Sequence, residues 1–107
     1  MNTARIELLK KYIEEEPNEP FNYYALGCEL MHEAADEALN YFEHLLNNFA
    51  DYLPTYYQAG LLQAEFGQEE TALVTYEKGI ELAKEQENHK TLHELQTAYQ
   101  NLQFEMD

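Results

Sequence analysis

The sequence predicts an all-α fold, a helical-hairpin solenoid of about six antiparallel helices. Three observations lead there. Only four Gly and three Pro occur among 107 residues, and long stretches lack both, which disfavours a turn-rich β fold. Apolar residues recur at helical period: Ala38, Leu39, Phe42, Leu45, Leu46 and Phe49 stand at i, i+1, i+4, i+7, i+8 and i+11, one broad stripe on a helix. The same offsets return further along the chain in Ala72, Leu73, Tyr76, Gly79, Ile80 and Ala83.

Helices are expected at 3–16, 20–33, 35–49, 54–66, 69–86 and 89–104. The first carries the stripe Ile6, Leu9 and Ile13 and is stopped by Pro17 and Asn18. Pro20 opens the second, where a missing N–H is harmless, and Tyr23, Leu26 and Leu30 form its packing face. The third is the first stripe. Pro54 opens the fourth, and Gly67 suits its C-terminus. The fifth is the second stripe. Asn88 is a candidate N-cap for the sixth, whose stripe is Leu92, Leu95, Tyr99 and Leu102. The outer helices read as caps, with Gln96, Gln100, Asn101 and Gln103 supplying the polar outer face that a terminal repeat needs.

The displacement that carries Ala38 onto Ala72 recurs outside the stripes. Pro20 maps to Pro54 by the same step, and Tyr23, Leu26 and Gly27 map to Tyr56, Ala59 and Gly60 by a step shorter by one. That drift is assigned to a tighter first inter-helix turn. A period of about 34 residues with two helices per period characterises one repeat class. With Tyr23, Leu26, Gly27, Leu30, Ala38, Phe42 and Pro54 in one copy, and Tyr56, Ala59, Gly60, Gln63, Ala72 and Tyr76 in the next, the chain resembles the tetratricopeptide repeat family over about residues 18–86. Tyr stands where that family usually has Trp, Gln63 departs from its Tyr, and no closing Pro lies near 86. The resemblance implies a right-handed superhelical stack. It gives one domain over 1–107, with repeats at 18–51 and 52–86 between capping helices at 3–16 and 88–104. Gly27 and Gly60 sit mid-helix, where Gly costs up to ~1 kcal/mol against Ala. They are expected, with Ala38 and Ala72, to let paired helices approach. Tyr23, Phe42, Tyr56 and Tyr76 are expected to fill the gaps between successive pairs.

Charge narrows the function. The formal net charge is −15, from 21 carboxylates against six Lys and Arg. Residues 12–77 hold fourteen carboxylates and no Lys or Arg. Phosphate backbones and anionic membrane surfaces need cations, so neither nucleic acid nor membrane is an expected partner. No apolar run reaches the ~18 residues of a membrane span, and none follows the N-terminus as a leader would. A single cysteine, Cys28, excludes an internal disulfide and fits a reducing compartment, so a cytoplasmic protein is expected.

In the family, the first helix of each pair lines a concave groove. The resemblance therefore implies a partner-binding groove of Phe21, Tyr24, Cys28 and Met31, with His32 at its margin, from the first copy. Tyr57, Leu61, Ala64 and Glu65 follow from the second, and His93, Thr97 and Gln100 from the last helix by looser alignment. The bland reading stands beside it: Tyr24, Cys28 and Tyr57 as plain core. Some family members grip a C-terminal carboxylate with Lys, Asn and Arg. Here the matching positions hold Tyr24, Cys28 and Gln58, and no cation is at hand, so a chaperone-tail carboxylate clamp is rejected.

Other candidates are weaker. Glu14, Glu15, Glu16, Glu19, Glu29, Glu33, Asp36 and Glu37 could steer a basic partner, or simply be a solvated surface. His89 and His93 have a helical metal-binding spacing, but two ligands rarely suffice. His32-Glu33-Ala34-Ala35-Asp36 echoes a metalloprotease helix without its second His. No metal or cofactor is expected. Cys28 has acids and no cation beside it, so its thiolate is disfavoured and a small buried apolar role is expected. The chain contains no Ser, no Gly-rich phosphate loop and no nucleophile elbow, so no enzyme is expected.

The expected function is a non-catalytic protein–protein interaction module or scaffold, binding a basic or aromatic/apolar peptide or partner protein in the groove. One alternative is a self-assembling unit, a weak homodimer through exposed Tyr and Phe, which repulsion at −15 opposes. A remote alternative is weak metal binding at His89 and His93.

Overall fold

The computed structural model describes residues 2–107. Among them are six helices and no strand: α1 (Thr3–Glu15), α2 (Pro20–Leu30), α3 (Ala35–Asn48), α4 (Thr55–Glu65), α5 (Glu69–Glu85) and α6 (His89–Met106). The chain divides into two compact units, Met1–Tyr52 and Leu53–Asp107. In the first, α2 packs against α1 and against α3. In the second, α5 packs against α4 and against α6, and α4 also meets α6.

The helix ends follow local chemistry. Asn2 caps α1 by accepting the Arg5 N–H at 3.0 Å, and Asn88 caps α6 by accepting the Thr91 N–H at 3.0 Å. Each such cap is worth about 1 kcal/mol. Pro20 occupies the first turn of α2. Pro54 stands one position earlier than expected, as the N-cap residue of α4. At the end of α4, Gly67 adopts φ 81°, its N–H bonds the Ala64 carbonyl, and the Gln68 N–H bonds the Gln63 carbonyl. That is the paired bonding of a Schellman ending. The end of α5 repeats it: the Glu87 N–H bonds the Lys84 carbonyl and the Asn88 N–H bonds the Ala83 carbonyl. There the left-handed residue is Glu87, at φ 56°.

Two boundaries differ from expectation by more than one residue. The second helix ends at Leu30 rather than 33. The Met31 N–H turns back to the Cys28 carbonyl at 3.4 Å, an i→i−3 bond that closes the last turn. The one-residue deficit between Gly27 and Ala38 is therefore taken out of the end of α2, which runs from Gly27 only to Leu30 where α4 runs from Gly60 to Glu65, and not out of the turn. Four residues, 31–34, separate α2 from α3, whereas three, 66–68, separate α4 from α5. The sixth helix runs to Met106 rather than 104, since neither Gly nor Pro interrupts Phe104-Glu105-Met106.

The core is built from the predicted stripes. Ala38, Leu39, Phe42 and Leu45 are buried on α3, Ala72, Tyr76, Gly79 and Ala83 on α5, and Leu95 and Leu102 on α6. The aromatic arrangement corrects the sequence reading. Phe42 and Tyr76 lie inside their own hairpins, each ring filling the space left by a glycine. A Cβ on Gly27 would stand 2.6 Å from Cε1 of Phe42, and one on Gly60 would run into the Tyr76 ring. The glycines thus admit a ring from the facing helix instead of a bare backbone approach. Tyr23 packs on His44, with ring centroids 4.6 Å apart, and its hydroxyl donates to the Pro17 carbonyl at 2.8 Å. At the start of the chain, Glu29 ties α1 to α2, accepting the Asn2 N–H at 3.1 Å and pairing with Arg5 Nε at 3.3 Å.

Gln63 also finds its reason. It is buried on α4 and its Oε1 accepts a 2.7 Å hydrogen bond from the Thr75 hydroxyl on α5. The matching positions of the first repeat hold Leu30 and Tyr41. A buried polar side chain survives only with such a partner.

Candidate functional site

In the first unit, α2 buries Asn22, Tyr23, Ala25, Leu26, Gly27 and Leu30. The predicted contact residues lie off that face. Phe21 is 52% exposed. Tyr24, Cys28 and Met31 are half-buried and, at i, i+4 and i+7, share one helix stripe. Tyr24 is held from two sides: its ring centroid lies 5.9 Å from Phe42 and 5.8 Å from Tyr52, the latter edge-on. Such pairs are worth about 0.5–1.5 kcal/mol beyond area burial. Burial pushes the Cys28 thiol pKa up, a hydrogen bond from Tyr24 opposes this, and Glu29 adds to it. Burial likewise raises the Tyr52 phenol, with Glu19 and Cys28 acting in the same direction. The thiol is therefore kept protonated, and Cys28 is half-buried beside Tyr24 rather than fully buried as expected.

The second unit repeats the stripe one period on. Thr55, Tyr56, Ala59, Gly60, Leu62 and Gln63 are buried on α4. Tyr57 is 38% exposed, and Leu61 and Ala64 are half-buried. Glu65 is exposed beside them. Burial raises the Tyr76 phenol to about 12, and Tyr57, Glu65 and Glu105 all push the same way. On α6, His93 and Thr97 are one turn apart and exposed, as is Gln100.

The predicted set thus falls into two groups: Phe21, Tyr24, Cys28 and Met31 in one unit, and Tyr57, Leu61, Ala64, His93 and Thr97 in the other. Three participants were not singled out from the sequence. Tyr52 follows α3 outside any helix, where no periodicity marks it. The Tyr76 hydroxyl was hidden by the assignment of its ring to core. Glu105 lies past the expected end of the last helix.

The acidic cluster is largely exposed, apart from Glu29, which is engaged with Arg5. His32, His89 and His93 are exposed. Among the described residues no group of three or more His, Cys, Asp or Glu is placed to hold a metal ion. None of the described helices is long and apolar enough to cross a membrane.

No family model matches the chain, and no curated protein matches it. Solved structures do. The solution NMR structure of a tetratricopeptide repeat domain protein from Salinibacter ruber is 40% identical, covers 80% of this chain and 88% of its own, and superposes with a TM-score of 0.75. A crystal structure of a tetratricopeptide repeat domain protein from the same organism is 40% identical, covers 79% of this chain and 97% of its own, and gives 0.77. The helical-hairpin repeat, the paired glycines under aromatic rings and this identity over most of both chains agree: the chain belongs to the tetratricopeptide repeat family.

Proposed function

We propose that this chain is a non-catalytic interaction module that takes a peptide or partner protein on the unburied faces of α2 and α4. Membership of the family supports protein interaction in general. One observation carries the finer reading: two bulky aromatics, Phe21 and Tyr57, remain exposed on helices whose neighbouring positions are buried. Around them Tyr24, Cys28, Met31, Leu61 and Ala64 are half-buried, which leaves apolar area for a partner to cover. In this reading 18–51 and 52–86 are the repeats, with α1 and α6 as caps. Cys28, without a second cysteine in the chain, favours the cytoplasm. The test is affinity capture from native extract with wild type, Tyr24→Ala and Tyr57→Ala. A partner retained by wild type and lost by both variants is the expected result; retention by both moves the site elsewhere.

A second reading, self-association, rests on other exposed side chains: Leu8 and Tyr12 on α1 and Phe104, 82% exposed, on α6. Light scattering decides it. A 12.6 kDa particle at every concentration and salt level removes it.

A further inference from the structure

Helix α1 is seated on α2 by a narrow contact. Of its 13 residues only Ile6 and Leu9 are buried, with Ile13 half-buried. These three stand at i, i+3 and i+7 and form one stripe. The polar fastening converges on a single side chain: Glu29 of α2 accepts the Asn2 N–H at 3.1 Å and pairs with Arg5 Nε at 3.3 Å. Leu26, Ala25 and Asn22 lie one and two turns before Glu29 on the same face of α2, and all three are buried. Gly27, against which the Phe42 ring of α3 stands, is turned to the other side. Helix α2 thus has two packed sides, and it meets α3 more extensively than α1.

An isolated helix of this length is marginal in water, and two buried side chains offset little of the conformational entropy lost in ordering it. We infer that α1 is a strap that opens separately from the rest of its unit, and that the α2 face beneath it, Asn22, Ala25, Leu26 and Glu29, is a helix-binding face that α1 occupies in cis. The ligand class is an amphipathic helix with apolar residues at i, i+3 and i+7 and a basic residue just before the first, the pattern of Arg5, Ile6, Leu9 and Ile13. Glu29 sets the direction, because a helix laid down in reverse would carry its cation to the other end of the face. The Tyr23 hydroxyl holds the Pro17 carbonyl at 2.8 Å, so the turn stays with α2 and the opening is confined to residues ahead of Pro17. This face is not the stripe of Tyr24, Cys28 and Met31, and the inference stands independently of the function proposed for that stripe.

Two measurements on the full chain test it. Amide hydrogen exchange of the wild type should show α1 protected at least about tenfold less than α3, and Glu29→Gln should lower protection in α1 alone. Protection of α1 equal to that of α3, or a uniform loss in Glu29→Gln, overturns the separate opening. Leu9→Glu places a charge in the contact between α1 and α2 and should undock α1 while the α3 amide shifts are retained. The probe is the N-acetyl peptide of residues 2–16, added to the isotope-labelled Leu9→Glu chain. It should shift the amides of Asn22, Ala25, Leu26 and Glu29, and bind about tenfold more tightly than to wild type, whose own α1 competes at high effective concentration. The same peptide carrying Arg5→Glu should bind about tenfold more weakly. Loss of the α3 shifts in Leu9→Glu, no uptake of the peptide by that variant, or equal uptake by variant and wild type overturns the face. Equal binding of the two peptides overturns the role of Glu29.

Discussion

The edge of the Tyr76 ring occupies the space that a Cβ on Gly60 would need, and Phe42 stands against Gly27 in the same way. Both rings belong to buried residues, so neither can swing out into solvent. Alanine is the better helix former at either glycine by up to ~1 kcal/mol. Overpacking should outweigh that gain, since forcing one carbon into a filled core costs about 1–3 kcal/mol. Gly60→Ala and Gly27→Ala are therefore each expected to lower the urea midpoint. Pairing Gly60→Ala with Tyr76→Leu should recover part of the loss, and failure to do so would place the clash elsewhere.

The Gln63–Thr75 hydrogen bond replaces the Leu30 and Tyr41 positions of the first repeat by a buried polar pair. Removing one partner strands the other, at about 1–3 kcal/mol. Thr75→Val and Gln63→Leu should each destabilise by that order. The double variant should cost clearly less than their sum, because two apolar groups leave nothing unpaired. A double-mutant cycle from urea unfolding checks it; simple additivity would show that the bond carries no coupling.

Glu87 closes α5 in a left-handed conformation at φ 56° that Gly67 adopts at the end of α4. Left-handed backbone costs an L-residue about 1–2 kcal/mol, while Gly pays part of that back in unfolded-state entropy. Glu87→Gly should therefore stabilise by about 0.5–1 kcal/mol and raise Tm by a few degrees. Glu87→Ala, which keeps the Cβ, should give no such rise.

The Tyr76 phenol titrates at about 12 in the folded chain, against about 10 for an unfolded tyrosine. The folded pKa is the higher one, so the stability linked to this proton is whole below about pH 10 and is lost as pH climbs through about 12. Urea midpoints should fall between about pH 9 and about pH 11.5 in wild type, and less steeply in Tyr76→Phe. Tyr52, also raised, leaves a residual slope in that variant. Parallel curves for the two proteins would contradict the assignment to Tyr76.

All six helices, the recurrence of Gly27 at Gly60, the start of the last helix at Asn88 and the end of the fourth at Gly67 were legible in the sequence, because they depend on local spacing and backbone preference. Apolar residues at i, i+4 and i+7 face one side of a helix whatever packs there, and the return of the same stripe marks each hairpin. Tyr24 and Tyr57 were named as contact candidates through the family resemblance, and both stand just off the buried stripe.

Other features needed the tertiary structure. Leu45 and Gly79 hold the same place in the two stripes, yet one fills its space with a side chain and the other leaves it to Tyr56 and Leu95, since a Cβ there would lie 2.6 Å from that of Tyr56. The seating of Phe42 and Tyr76 over the glycines of their own hairpins, the partnership of Gln63 with Thr75, and the Tyr52 edge against Tyr24 join residues that no short-range pattern links. The approach of Glu65 and Glu105 to one phenol is of the same kind. Sequence periodicity specifies which face of a helix turns inward. Which side chain meets which across a hairpin is decided by shape, by hydrogen-bond pairing and by the charge left facing outward, and these exist only once the helices have packed.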